Sequence, residues 1–77
     1  MIKLKDPIAI QILGANLRRH RIERKLTQEG LANIADIEFS QVSRIERGII
    51  NATVSTIFAL AKALEIKPSQ LLETKEG

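Results

Sequence analysis

The segment 26–48, LTQEGLANIADIEFSQVSRIERG, constrains the fold more than any other part of this chain. It predicts two short helices joined by a tight turn. The first helix opens at Thr27, a good N-cap residue, and is predicted to run to about Ala35. The second is predicted to span about 39–47, and Gly48 fits the left-handed position that follows a helix. The middle of the chain is therefore expected to be helical, with one sharp change of direction.

The second helix of this pair offers few side chains to a core. Its buried side is predicted to be Val42 and Ile45, three positions apart, together with Ile37 from the turn. The side chains expected to face outward are Phe39, Ser40, Gln41, Ser43, Arg44 and Arg47. A helix-turn-helix places its second helix in the DNA major groove and its first across the backbone. So polar an outer face on a short turn fits that use.

A longer helix is predicted before this pair. It begins at Asp6, an N-cap, with Pro7 at the first helical position, and runs to about Lys25. Its inward stripe at helical spacing is Ile10, Leu13, Leu17 and then His20 or Arg21. The stripe predicts one buried face and a polar remainder.

The end of the chain predicts two unusually apolar helices. The fourth spans about 54–64 behind the cap Thr53, and a short fifth starts at 67–69 with Leu71 and Leu72 facing inward. The apolar residues of the fourth helix are Val54, Ile57, Phe58, Leu60, Ala61 and Leu64. They cover so wide an arc that this helix needs more than one neighbour. The surplus predicts a homodimer contact through helices 4 and 5, the alternative being that it closes the core of the monomer.

Size and composition bound the class of protein. Seventy-seven residues predict one domain, 1–77, with an ordered core of about 7–73. There is no cysteine, so neither a disulfide framework nor a thiolate metal site is available. No apolar run approaches the length of about 18 residues that a membrane span needs, and residues 1–5 contain no apolar leader region. A cytoplasmic location is expected.

Basic residues are concentrated just before the two short helices. Residues 18–25 contain Arg18, Arg19, Arg21, Arg24 and Lys25 against the single acid Glu23. The formal net charge of the chain is +3, which is compatible with a nucleic-acid partner. Composition alone favours the plainer interpretation that the long helix before this pair, which runs to about Lys25, has a solvated, charged face.

Almost nothing in the chain could support catalysis. His20 is the single histidine, no cysteine accompanies it, and no glycine-rich phosphate loop is present. His20 is interpreted as a packing residue. We therefore expect no catalytic residue, metal, cofactor or small-molecule ligand.

Taken together, these features resemble the Cro/C1-type helix-turn-helix family of phage repressors and bacterial XRE-type regulators. The resemblance runs from about residue 13 to 72. It rests on Leu13-Gly14, Leu17-Arg18, Leu26-Thr27-Gln28-Glu29, Leu31-Ala32, Val42-Ser43-Arg44-Ile45-Glu46-Arg47-Gly48, Thr56-Ile57, Leu60-Ala61 and Ala63-Leu64. It implies a compact, five-helix, lambda-repressor-like DNA-binding domain, in the all-α class that the helices predict.

The resemblance also implies roles for single residues. In such proteins the glutamine that begins helix 2, here Gln28, touches a phosphate and braces a base-reading residue on helix 3. The positions that read base edges are held here by Phe39, Ser40, Gln41 and Arg44. Glutamine can pair with adenine, arginine with guanine, and phenylalanine can pack on a thymine methyl group. The residues expected to face phosphates are Gln28, Ser43, Arg47 and the loop residue Asn51.

Arg21 and Glu46 correspond to a pair that forms an internal salt bridge in related repressors, which implies that Arg21 is structural. Its loss could cost several kcal/mol if it is buried and little if it is exposed.

The chain departs from the family pattern at five positions, one of which is Phe39, where a polar reader is common. Asp36 replaces the usual turn glycine but tolerates the left-handed region, and Glu38 replaces a usual Ser or Thr cap. Glu38 is interpreted as a weak cap or a brace for a nearby arginine, in preference to a reader of cytosine N4. Ala52 replaces a common proline, and Glu65 replaces a common glycine.

Three functions compete at this point. The leading one is a transcriptional regulator that binds a palindromic DNA operator as a homodimer, whether as a phage repressor, a restriction–modification controller or an antitoxin. The second is a protein-interaction module of helix-turn-helix fold without independent DNA binding, against which Gln28, Arg44 and Arg47 argue. The third is an enzyme, which the residue content disfavours.

Overall fold

A computed structural model describes residues 6–74 of the chain. The five helices are α1 (Pro7–Glu23), α2 (Gln28–Ala35), α3 (Phe39–Glu46), α4 (Val54–Leu64) and α5 (Pro68–Leu71). No strand occurs within residues 6–74, and the predicted all-α, five-helix class is confirmed. None of the helices in this range is long and apolar enough to cross a membrane. The expected absence of a leader in residues 1–5 falls outside the described residues. Residues 74–77 are expected to fray, and of these the structure describes only residue 74.

Three of the helices begin at side-chain caps that the sequence predicts. The Asp6 carboxylate accepts from the backbone N–H groups of Ile8 and Ala9, at 3.0 and 3.1 Å. The hydroxyl of Thr27 accepts from the N–H of Gly30 at 2.9 Å. In the same way the hydroxyl of Thr53 accepts at 3.1 Å from the third residue of α4. Each cap satisfies donors that a helix start leaves without partners.

The four longer helices all end in the same backbone motif. A residue with positive φ follows each helix, at Lys25, Asp36, Gly48 and Glu65. The next N–H reaches back to a carbonyl of the last turn, and an apolar residue, Leu26, Ile37, Ile49 or Ile66, occupies that place. This is the Schellman arrangement, in which the apolar residue can pack back on the helix. The left-handed predictions for Asp36 and Gly48 are confirmed. The first helix ends at Glu23, earlier than predicted, because this motif turns the chain at Lys25.

The core lies between α1, α2, α3, α5 and the inner side of α4. Its buried residues are Leu13, Leu17, Leu31, Ala32, Val42, Ile45, Leu60, Ala61, Leu64 and Leu71. His20 is buried on α1 as a packing residue, and its ring nitrogens find no hydrogen-bond partner among residues 6–74. Its Nδ1 lies 3.6 Å from a carboxylate oxygen of Glu23.

The prediction that Leu72 faces inward is wrong, since its side chain is 52% exposed while Leu71 is fully buried. Helix α5 is a single turn of four residues, so neighbouring leucines at its end cannot both point to one core. Val54 and Phe58 on α4 are also exposed, at 69% and 57%. Helix α4 packs against α2 and α5, and these neighbours cover only the side that carries Leu60, Ala61 and Leu64.

A buried amide joins the first helix to the end of the chain. Asn16 Nδ2 donates to the carbonyl oxygens of Leu71 and Glu73, both at 2.9 Å. Its Oδ1 accepts from Arg19 at 3.1 Å. Both amide hydrogens of Asn16 are used, which holds the backbone on either side of Leu72.

Candidate nucleic-acid interface

Helix α3 has one apolar side and one polar side. Val42 and Ile45 are completely buried, in agreement with the prediction from their spacing. Ser40, Arg44 and Arg47 are exposed on the other side. The structure places the remaining outward residues there as well: Phe39 is exposed, and Gln41 and Ser43 are half-buried. The apolar side holds α3 in the domain and leaves the polar side uncovered within residues 6–74.

The end of α3 lies directly against the backbone of α1. A Cβ atom added at Gly14 would overlap the carbonyl oxygen of Ile45 and come within 3.0 Å of the carbonyl oxygen of Glu46. Contact this close is possible only for glycine, which has no side chain. The sequence contains Gly14 as part of the family resemblance, but its reason is visible only once α1 and α3 are packed.

An ion pair reinforces the same contact. Arg21 Nε lies 2.6 Å from Glu46 Oε2, and Arg21 Nη2 lies 3.0 Å from Oε1. The remaining nitrogen, Nη1, donates to the carbonyl oxygen of Leu26 at 2.8 Å. The side chains of Arg21 and Glu46 are 13% and 3% exposed, so this is a part-buried pair with bidentate geometry. Arg21 is engaged within the protein, as the resemblance implies.

The hydrogen bond to Glu46 raises the pKa of Arg21 above its ordinary value, with burial opposing and the Glu46 charge adding to it. A raised pKa means that the stabilisation is complete below the ordinary arginine pKa and is lost only as the pH rises past the raised one. The charge of Arg21 is therefore constant over the pH range in which proteins are handled.

Within residues 6–74, no hydrogen bond joins Gln28 to a predicted base reader. Its Nε2 donates to Glu46 Oε1 at 3.0 Å, so it completes the cluster around that carboxylate. The expected brace on a reader residue of α3 is therefore a brace on the last residue of that helix. The Glu46 side chain is only 3% exposed, so its carboxylate must be satisfied by donors from the protein, and Gln28 supplies one of them.

Asn51 lies exposed in the loop between α3 and α4, and Arg47 is the exposed C-cap of α3. The predicted phosphate-facing residues are thus spread over the start of α2, the length of α3 and the following loop. The residues that sequence reasoning missed are the positioning ones, above all Asn16. Its only signal was a polar residue within an apolar stripe, between Leu13 and Leu17.

Glu38 is the N-cap residue of α3 and makes no side-chain capping bond, which confirms the expected weak cap. The expected brace for an arginine is absent, since neither ion pair among residues 6–74 involves Glu38. Glu38 and Phe39 border one shallow depression of about 550 Å³, together with Asn33, Asp36, Ile37 and Gln41. An exposed carboxylate and an exposed aromatic ring therefore share one recess at the start of α3.

Residues 17–71 match the helix-turn-helix family HTH_3. The control protein C.SmaI of Serratia marcescens is 39% identical over 67 residues, which cover 87% of this chain and 79% of that protein. The restriction-modification controller protein C.AhdI of Aeromonas hydrophila has a TM-score of 0.79 and 37% identity, covering 80% of this chain and 94% of that one. A hypothetical transcription factor, NHTF of Neisseria, has a TM-score of 0.85 and 30% identity, covering 99% and 88%. Relatives of this kind are regulators and control proteins, not enzymes.

Proposed function

Because the chain belongs to the HTH_3 family and is a DNA-binding regulator of the Cro/C1 (XRE) type, we propose that it binds a palindromic operator as a homodimer. Each copy inserts α3 into the major groove of double-stranded DNA. The two half-sites then lie roughly 34–36 Å apart on one face of the duplex. The protein acts in the cytoplasm, where proteins rarely rely on disulfide bonds, and the chain contains no cysteine.

The observation that carries this proposal is the two-sided character of α3. Its buried side is fully committed to the core, so the exposed side is free to enter a groove. Arg44 can donate two bonds to guanine O6 and N7, and Gln41 can pair with adenine. Phe39 offers a ring to the C5-methyl group of a pyrimidine, and Ser40 can bond to several bases.

The remaining predicted contacts are anchors to the DNA backbone. Ser43, Arg47 and Asn51 supply hydroxyl, guanidinium and amide groups for phosphate oxygens. Gln28 also remains in this group, because its amide retains a second hydrogen beyond the bond to Glu46. Anchors of this type act on every sequence alike, whereas base readers discriminate among sequences.

Homodimerisation is supported by the apolar surface around α4 and the end of α5. Val54 and Phe58 lie one turn apart on the outer side of α4, and Leu72 is exposed just after α5. Apolar residues of this size are costly to leave in water, and burying them between two copies removes that cost.

Selection of bound sequences from a random duplex pool tests the DNA-binding proposal. A palindromic consensus is expected, with binding that weakens steeply as salt rises. Arg44→Ala should relax the preference at one base position per half-site, and Arg47→Ala should weaken all duplexes by a similar factor. Failure to enrich any sequence, with no salt-sensitive binding to random duplex, favours the interaction-module alternative.

A separate measurement tests the dimer. Sedimentation equilibrium of Phe58→Ser should give a much weaker self-association than the unchanged protein, because Phe58 loses its apolar contact in the interface. Ile22→Ser is the matched control, since Ile22 is similarly exposed but lies on α1 outside the proposed interface. Equal association of both variants contradicts dimerisation through α4 and α5.

A further inference from the structure

Glu38 is an unusual residue to find beside a DNA-reading helix. It is exposed, makes no capping hydrogen bond, and takes part in neither ion pair among residues 6–74. A carboxylate only accepts hydrogen bonds, and phosphates nearby repel it. In the major groove its suitable partners are the exocyclic amines, N4 of cytosine and N6 of adenine. An acid at this position therefore selects bases that carry an amine and rejects those that present only acceptors.

The aromatic ring of Phe39 further restricts which base can be recognised beside Glu38. It follows Glu38 directly, is the first residue of α3, and is 48% exposed. Both side chains border the same shallow depression, so they can meet one base edge. The N-terminal residues of a recognition helix are those that contact base edges, and an aromatic ring there packs on a pyrimidine C5-methyl group.

The two preferences together describe one base. Thymine carries the methyl group, but its O4 is an acceptor that the Glu38 carboxylate repels. Cytosine offers the N4 amine but has no methyl group for Phe39, and adenine has the amine on a purine. We propose that Glu38 and Phe39 form one pyrimidine-reading pair whose preferred base is 5-methylcytosine. This inference rests on the proposed DNA-binding function and makes operator binding sensitive to cytosine methylation.

The test starts from the operator obtained by selection in an unmethylated pool. Each cytosine of a half-site is replaced in turn by 5-methylcytosine, by N4-methylcytosine and by thymine, and affinities are measured by fluorescence anisotropy. At one position per half-site, 5-methylcytosine should tighten binding on the order of fourfold, the factor expected from burying one methyl-sized group. Thymine at that position should weaken binding about tenfold, as should N4-methylcytosine, because each removes the amine hydrogen that Glu38 accepts.

Two variants separate the contributions of Phe39 and Glu38 to the base preference. Phe39→Ala should abolish the gain from the C5-methyl group while keeping the rejection of thymine. Glu38→Gln should remove the rejection of thymine, because an amide can also donate to O4. The matched controls are Glu73→Gln and Ile22→Ala, which change an exposed acid and an exposed apolar residue away from α3. Both controls should keep the preferences of the unchanged protein.

The inference is overturned if no cytosine position responds to C5-methylation, or if Glu38→Gln and Phe39→Ala leave the profile unchanged. In that outcome specific operator binding persists, so the proposed function stands. If the selection enriches no sequence at all, the proposed function fails and the inference fails with it. Both altered residues are exposed, so the variants are expected to fold, and circular dichroism checks this.

Discussion

Helix α1 is joined to α3 and to the end of α5 by two chemically different contacts. At α3 the backbone at Gly14 touches carbonyl oxygens, and the Arg21–Glu46 pair adds a buried charge to the contact. At the end of α5 the contact is a neutral amide, Asn16, bonded to two carbonyl oxygens. One contact sets the position of the helix proposed to read DNA. The other sets the path of the chain around Leu72, on the proposed dimer surface.

The difference lies in what remains when each contact is broken. Removing one member of the ion pair leaves a charge in a site that water hardly reaches, and such a charge is costly. Removing the amide leaves two neutral carbonyl groups without their donor, and an unpaired neutral group costs less than an unpaired charge. The contact between α1 and α3 should therefore be more sensitive to substitution than the contact between α1 and the end of α5. Four variants are expected to have the following effects, from the largest to the smallest.

Arg21→Ala should have the largest effect, a loss of about 3–5 kcal/mol in the free energy of unfolding, because it leaves the Glu46 carboxylate buried without its cation. Urea denaturation followed by circular dichroism gives this value. The double variant Arg21→Met, Glu46→Leu should recover much of the loss, since it removes both charges. A loss below about 1 kcal/mol for Arg21→Ala would indicate that the pair behaves as an exposed one.

Gly14→Ala should cost about 2–3 kcal/mol, because the added methyl group overlaps the end of α3 and forces the two helices apart. The same denaturation experiment measures the change. DNA affinity should fall by more than the loss of folded protein explains, since α3 is displaced. An unaltered stability would contradict the close approach of α1 and α3.

Asn16→Ala should cost about 1–3 kcal/mol, the penalty for leaving buried polar groups without a partner. Hydrogen exchange should show faster exchange after α5 than at α3, because only the path of the chain end is released. Operator binding should fall only because dimerisation is weaker, so the affinity per folded dimer should be unchanged. A direct effect on a covalently linked dimer would argue against the separation of the two contacts.

Gly30→Ala should have the smallest effect and serves as the control for Gly14. Alanine is favoured over glycine within a helix by about 1 kcal/mol. The added Cβ would lie 3.1 Å from the Thr27 hydroxyl, so part of that gain is lost to the tight contact. Melting temperatures of the two glycine variants should differ clearly, with Gly30→Ala close to the unchanged protein. Similar losses for both would contradict a cost that is specific to the close contact of Gly14 with the end of α3.

Much of the fold was predictable because the signals act over short distances along the chain. The caps Asp6, Thr27 and Thr53 bond to residues two or three positions away. The spacing of Val42 and Ile45 likewise predicts which side of α3 is buried, and this prediction needs no information about any other helix. The family resemblance supplied the pairing of Arg21 with Glu46, which no local pattern reveals.

The sequence by itself determined five helices, their starts, the buried side of α3 and the family. The tertiary structure decided that the Glu46 side chain in the Arg21–Glu46 pair is almost fully covered, that Gln28 joins the pair, and that Leu72 faces outward. It also decided the role of Asn16, whose partner Leu71 lies 55 positions further along the chain. Burial and hydrogen-bond partners depend on which distant segments meet, and that is settled only when the helices pack against one another.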